Sequence, residues 1–155
     1  IYAVEGFLAL SFSGRFSDWR DKSFIRCKKE DILKIAFTIP GDSSYVLMKK
    51  DSGWFIGEQQ ADSTAVSDYL NGISYMNGEE FEDGYKSAAY PDYTVSVEGN
   101  NLLNVIVKCY KAGGEDKYIL NSSLNPEVYY SSTRNKIFEQ LFKPESYFFQ
   151  QRKTK

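Results

Sequence analysis

The stretch from Lys49 to Met76 constrains this chain more than any other, because it joins a strand pattern directly to a helix pattern. Gly53-Trp54-Phe55-Ile56-Gly57 is aromatic and β-branched, bounded by glycines and preceded by the turn signal Lys50-Asp51-Ser52-Gly53, so it reads as a strand. Val66, Tyr69, Leu70, Ile73 and Met76 then recur at helical spacing and form one apolar stripe. Asp62 or Ser63 can cap the first free N–H groups, and Asn77-Gly78 supplies a stop. That stripe has to be buried, and the nearest apolar surface is the sheet to which Trp54 and Ile56 belong. A β-meander closed by a helix is the predicted unit.

The same order recurs further on. Ile32 to Ile39 alternates with Leu33, Ile35, Phe37 and Ile39 on one face, and Ser44 to Lys50 returns after Pro40-Gly41-Asp42. Beyond Pro91, Tyr93, Val95 and Val97 alternate, Gly99-Asn100-Asn101 turns, and Leu103, Val105, Val107 and Cys109 run back. Strands are expected over Lys117–Leu120 and Glu127–Tyr130. Ser131 or Ser132 then caps a helix carrying Ile137, Phe138, Leu141 and Phe142, which Pro144 stops. The predicted class is α+β, with two β-meander-plus-helix units whose antiparallel strands pack side by side. The expected boundaries are 29–78 and 92–155, with the acidic, glycine-bearing stretch 79–91 as linker. Residues 1–28 read as the tail of a preceding unit plus an edge strand. Within them a short helix is expected before Phe12, a buried Trp19, and an alternating edge strand over Ser23–Cys27.

Composition matters mainly for what it removes. There is no histidine, which eliminates Ser/His and Cys/His nucleophilic catalysis and the commonest transition-metal ligand together. Two cysteines, Cys27 and Cys109, are too few for a zinc site; Cys109 lies in an apolar strand, where a buried thiol is the simple reading, and a bond to Cys27 stays open. A net charge of −2 with interspersed signs offers no basic block for nucleic acid or anionic lipid. No apolar run is long enough to span a bilayer. The chain begins at Ile1 without methionine and reads as a portion of something longer, its signal or anchor lying upstream.

Three clusters come forward as sites. Glu79, Glu80, Glu82 and Asp83 lack the alternating ligand spacing of a calcium loop, and nothing sets two of them across a cleft as a glycosidase pair would need. Tyrosines crowd the second half, where they can form either cross-strand core pairs or a platform for a sugar ring or an apolar partner patch. Tyr147-Phe148-Phe149, beyond the last helix, together with Tyr129 and Tyr130, are the binding candidates, with an exposed contact expected at the first three. Ser43, Ser44, Ser122 and Ser123 have no base to activate them, and neither a cofactor nor a metal is expected.

One resemblance can be placed on residues. Asp18-Trp19-Arg20-Asp21-Lys22, Glu30-Asp31-Ile32 with Ile35, Gly53-Trp54, and Ala61-Asp62-Ser63 before Val66 and Leu70 resemble the family called domain of unknown function 4340. That family's pattern runs from an R-D-K segment through D-I-x-x-I, a G-W strand and an A-D helix start. The closing stretch from Tyr118-Ile119-Leu120 through Val128-Tyr129 to Phe142 is similar to its final strands and helix. The resemblance implies a bacterial, exported or membrane-anchored protein with repeated α/β units outside the cytoplasm, often encoded beside ABC-type transport components of the gliding-motility kind. It carries no catalytic residues. The expected function is a non-catalytic, extracytoplasmic (periplasmic) interaction or scaffold module in a membrane-associated complex, with a protein partner and a tether upstream of this chain. The alternative is a carbohydrate- or peptide-binding module that uses exposed tyrosines, and a carboxylate-based hydrolase ranks below both.

Overall fold

The computed structural model describes residues 19–41, 43–87, 90–114 and 117–149. The helix expected before Phe12 lies outside them. Nine strands form one antiparallel sheet: β1 Ile32–Thr38, β2 Tyr45–Lys50, β3 Gly53–Ile56, β4 Gln59–Gln60, β5 Glu80–Phe81, β6 Tyr93–Gly99, β7 Val105–Lys111, β8 Tyr118–Ser122 and β9 Tyr129–Ser131. Their order across the sheet is β4-β3-β2-β1-β6-β7-β8-β9-β5. Two helices, α1 Ser63–Ile73 and α2 Ile137–Leu141, cover one face, and a 3-10 turn over Glu145–Phe149 completes that layer. The class is α+β.

The core lies between this layer and the inward faces of the strands. Ile35, Phe37, Tyr45, Leu47, Val95, Val97, Val107, Cys109, Leu120 and Tyr130 all point into it and are buried. On the helix side, α1 contributes Val66, Tyr69, Leu70 and Ile73, as its periodicity predicts. Tyr69 donates to the Leu141 carbonyl at 2.8 Å and so ties α1 to α2. Phe37 and Tyr45 stack with centroids 4.4 Å apart, and Tyr118 and Phe138 stack at 3.7 Å. The opposite face of the sheet is open over β1, β2, β6 and β7. Val46, Met48 and Ile106 are 37%, 42% and 41% exposed there, beside a Lys34–Glu98 ion pair at 3.2 Å.

Several local expectations need correction. The helix stops at Ile73, with the Ser74 N–H bonded to the Leu70 carbonyl, because Tyr75 adopts a left-handed φ of 57°; Met76 is buried beyond the helix end. In β1 the alternation slips at a bulge between Ile32 and Lys34, so Ile32 rather than Leu33 is fully buried. Gly99 makes this possible. It pairs with Ile32, and a Cβ there would collide with the Asp31 carbonyl oxygen, which already accepts the Asn100 N–H at 2.9 Å. The return strand β7 starts at Val105, and Leu103 is 79% exposed in the connection.

Residues 23–27 form no strand. Phe24 and Ile25 are consecutive buried residues whose N–H groups both donate to the Met76 carbonyl at 3.1 Å, an arrangement alternation cannot describe. Trp19 is 69% exposed, and it is the neighbouring Arg20 that covers apolar surface, its guanidinium 3.7 Å from the Phe81 ring centre. Within the stretch 79–91, expected to be a solvated connection, Glu80–Phe81 forms β5 and adds to the edge of β9. Cys27 and Cys109 are both buried and unbonded, and burial pushes both thiols up from their ordinary range.

Candidate binding cleft

At the β4 end of the sheet the chain makes two tight reversals and then enters α1. Gly53, at φ 137°, opens β3, and Gly57, at φ 60°, lies in the two-residue connection to β4. The ladder continues one step past β4, since the Ala61 N–H donates to the Trp54 carbonyl at 2.8 Å. Asp62 then caps α1, its carboxylate accepting the Ala65 N–H at 2.8 Å. This route swings the first two turns of α1 over Trp54 without closing on it, because α1 presents Ser63 and Ser67 there. The result is a cleft of about 290 Å³. Trp54, Ala61, Val66 and Leu70 form its apolar wall, and Lys29, Lys49 and Glu30 stand at its rim. The Gln60 side chain donates to the Ser52 carbonyl at 3.0 Å and braces the β2–β3 turn. A second, more polar recess of about 380 Å³ adjoins it along β4, bounded by Gln59, Asp62 and Phe149.

The five residues singled out from the sequence are not brought together. Phe148 is fully buried among Phe37, Tyr45 and Tyr69, with centroids at 6.2, 6.1 and 5.3 Å, so the exposed contact expected at Tyr147-Phe148-Phe149 is not formed by its central ring. Its carbonyl accepts the Asp62 N–H at 2.7 Å, which draws the C-terminal turn onto the start of α1. Tyr147 is half-buried edge-on to Phe148, and Phe149 walls the β4 recess. Tyr130 is fully buried at the other end of the sheet, its hydroxyl donating to the Asp21 carbonyl at 3.2 Å. Tyr129 points to the opposite face, where it meets Tyr85 at 5.3 Å and donates to Ser87 at 3.1 Å.

The acidic cluster is dispersed by its partners. Glu80 accepts the Arg134 N–H at 2.8 Å, Glu82 faces Lys117 at 3.4 Å, and Asp83 pairs with Arg20 at 2.8 Å. Among the described residues no group of three or more His, Cys, Asp or Glu is placed to hold a metal ion. The serines serve the backbone: Ser44 bridges the Ile39 N–H and carbonyl, Ser122 donates to the Phe24 carbonyl at 2.6 Å, and Ser123 accepts the Ile106 N–H at 2.9 Å. The displaced titrations have structural causes. Burial raises Tyr45, Tyr69, Tyr85, Tyr110, Tyr130 and both cysteines, whereas hydrogen bonds from Ser23 lower Asp21 in an exposed turn. Nothing in this set resembles an acid and a base poised across a pocket.

The cleft is not legible in the sequence, because a tryptophan in a strand is more often core than ligand platform. The available signal was the pair Ser63 and Ser67, small polar residues on the helix turn that follows a Trp strand. No helix among the described residues is long and apolar enough to cross a membrane. A family model described as Domain of unknown function (DUF4340) matches residues 1–96. No curated protein and no solved structure matches the chain.

Proposed function

This chain belongs to the DUF4340 family, and from that premise we propose that it is a non-catalytic, extracytoplasmic interaction module of a bacterial membrane-associated, transport-like assembly. The observation that carries the reading is the cleft at the β4 end: a half-buried tryptophan in an apolar wall, rimmed by charges, at a sheet edge that no other strand of the described chain covers. Such a surface suits docking, where a buried aromatic anchor and a polar rim do most of the work. The tyrosines favour the same side of the question. Among the described residues Tyr45, Tyr69, Tyr110 and Tyr130 are buried and Tyr85, Tyr93, Tyr118, Tyr129 and Tyr147 are half-buried; Tyr75 and Tyr90 are exposed, at 55% and 86%, and no ring contact joins them into a platform.

The sheet order supports a duplicated plan. β1 to β4 lead into α1, β6 to β9 lead towards α2, and the two sets meet through the antiparallel pair β1–β6. We read these as two meander-plus-helix units related by an approximate two-fold axis through that pair, with β5 added at one end. Two units sharing one sheet put the cleft at the β4 edge, the last position in the sheet order among the described residues.

The test is site-specific photo-crosslinking in membranes of the source organism, with the photoreactive residue at Ser67 on the cleft and at Glu127 as a distant control. A discrete adduct with a component of a membrane-associated assembly, formed from Ser67 and not from Glu127, is the expected result. No adduct from Ser67 in membranes that retain the assembly would overturn the reading.

A further inference from the structure

The two halves of the sheet can be superposed by register alone, and the comparison shows what the cleft lacks. Ala36 pairs with Val46 on one side and Ser96 on the other, while Ser96 pairs in turn with Ile106, so Val46 and Ile106 are equivalent positions. Three residues further along, Lys49 pairs with Trp54 and Cys109 pairs with Leu120. One strand further out, Trp54 faces Ala61 and Leu120 faces Tyr130. Where the second half seats the fully buried Tyr130, the first half has only a methyl group, and the cleft is the volume left over.

At the second end that position is also covered from outside. β5 adds to β9, with Phe81 paired to Tyr130 at 5.2 Å between rings and the Glu82 N–H donating to the Tyr129 carbonyl at 2.9 Å. Gln60 is the register equivalent of Tyr129. Because the Ala61 N–H is spent on Trp54, ladder alternation turns the N–H and C=O of Gln60 outward to the sheet edge. Among the described residues no strand uses them, since β4 stands last in the sheet order. Charge points the same way: Phe81 is flanked by Glu80 and Glu82, with Glu82 against Lys117, and the unfilled cleft carries Lys29 and Lys49 against one Glu30.

We propose that this cleft seats an extended acidic segment of the partner protein, which adds to β4 along Gln60 and lays an aromatic side chain over Ala61 against Trp54, much as Glu80-Phe81-Glu82 adds to β9 and sets Phe81 against Tyr130 at the other end. The proposal rests on the interaction-module reading and supplies its partner chemistry. Main-chain hydrogen bonds at the edge and one aromatic pocket are the ordinary means of strand addition. Lys29 and Lys49 select for acids beside the ring.

The probe is a capped heptapeptide of this chain's own sequence 78–84, Gly-Glu-Glu-Phe-Glu-Asp-Gly, titrated into the full ¹⁵N-labelled chain. Saturable shifts are expected at the Trp54 indole and the Gln60 and Ala61 amides, with none at Tyr130, whose position is already covered. Replacing the peptide's Phe by Ala should abolish the shifts, and replacing its acids by Gln should weaken binding about fivefold and remove its salt dependence. Ala61→Tyr fills the gap as Tyr130 does and should weaken binding at least about tenfold. If that variant fails to fold, Lys49→Glu on the exposed rim should weaken binding about fivefold. The proposal is overturned by the absence of saturable shifts up to millimolar peptide, or by unchanged affinity in a folded Ala61→Tyr. It is equally overturned if the same residues shift with a neutral disaccharide instead, or with protein concentration alone, which would assign the cleft to a saccharide or a second copy. A silent peptide alongside a Ser67 crosslink would remove this proposal and leave the interaction module standing.

Discussion

Replacing Phe148 by alanine separates a structural role for the C-terminal turn from the exposed contact that its sequence suggests. Phe148 is fully buried, lies within about 6 Å of the rings of Phe37, Tyr45 and Tyr69, and offers its carbonyl to the Asp62 N–H that begins α1. Truncating a fully enclosed phenylalanine removes its transfer free energy and leaves a cavity, a combined cost of about 3–5 kcal/mol. Its edge-to-face contact with Tyr69 places this position towards the upper part of that range. Whole-domain stability is of the order of 5–15 kcal/mol, so Phe148→Ala should leave a folded but weakened protein whose Tm falls by roughly 10 °C. Urea unfolding followed by far-UV circular dichroism reads the loss directly, provided the m-value is unchanged. Tyr147→Ala, which removes a half-buried ring, should cost clearly less. A loss below about 1 kcal/mol for Phe148→Ala, or a larger one for Tyr147→Ala, would refute the packing described for this turn.

Other expectations follow from the same geometry. Gly99→Ala should destabilise by about 2–3 kcal/mol because the new methyl meets the Asp31 carbonyl at the β1 bulge, whereas Gly72→Ala, in open space on α1, should stabilise by about 0.5–1 kcal/mol; urea midpoints for the pair check both. Asp62→Ala removes the hydroxyl-free carboxylate cap of α1 and should cost about 1 kcal/mol in the same assay, with Asp62→Asn retaining much of it. Stability should hold up to the ordinary Cys and Tyr ranges and fall above them. Tyr45, Tyr69 and Cys109 are neutral in the fold with raised pKa values, so the unfolded chain releases these protons first, and each such group lowers stability by about 1.4 kcal/mol per pH unit once past its ordinary value of 9.0 or 10.0. Urea titrations at pH 8 and 10.5 measure the slope, and Tyr69→Phe should reduce it.

Much of the architecture was legible from local pattern. The strand at Trp54, a cap at Asp62 or Ser63 and the stripe through Val66, Tyr69, Leu70 and Ile73 depend on residues close in sequence; the structure has the strand and the stripe, takes Asp62 as the cap, and leaves Met76 beyond the helix end. What escaped depends on distant partners. The slip that buries Ile32 instead of Leu33 arises from the pairing with Gly99, and the burial of Phe24 and Ile25 side by side arises from their shared bond to Met76. Phe148 looked like an exposed tail residue because the rings that enclose it are contributed by β1, β2 and α1. The cleft was harder still. Its origin is an alanine at a register position where the other half has Tyr130, and register across nine strands is not written in any single stretch.

The central claim is that the β4 end of the sheet is the surface another protein occupies. Hydrogen–deuterium exchange, comparing the isolated chain with the same chain held in its native membrane assembly, tests this most directly. Added protection is expected in the peptides spanning residues 53–61 and the first two turns of α1, with the β9–β5 end unchanged. Protection confined to the open face around Val46, Met48 and Ile106, or none at all in an intact assembly, would contradict it.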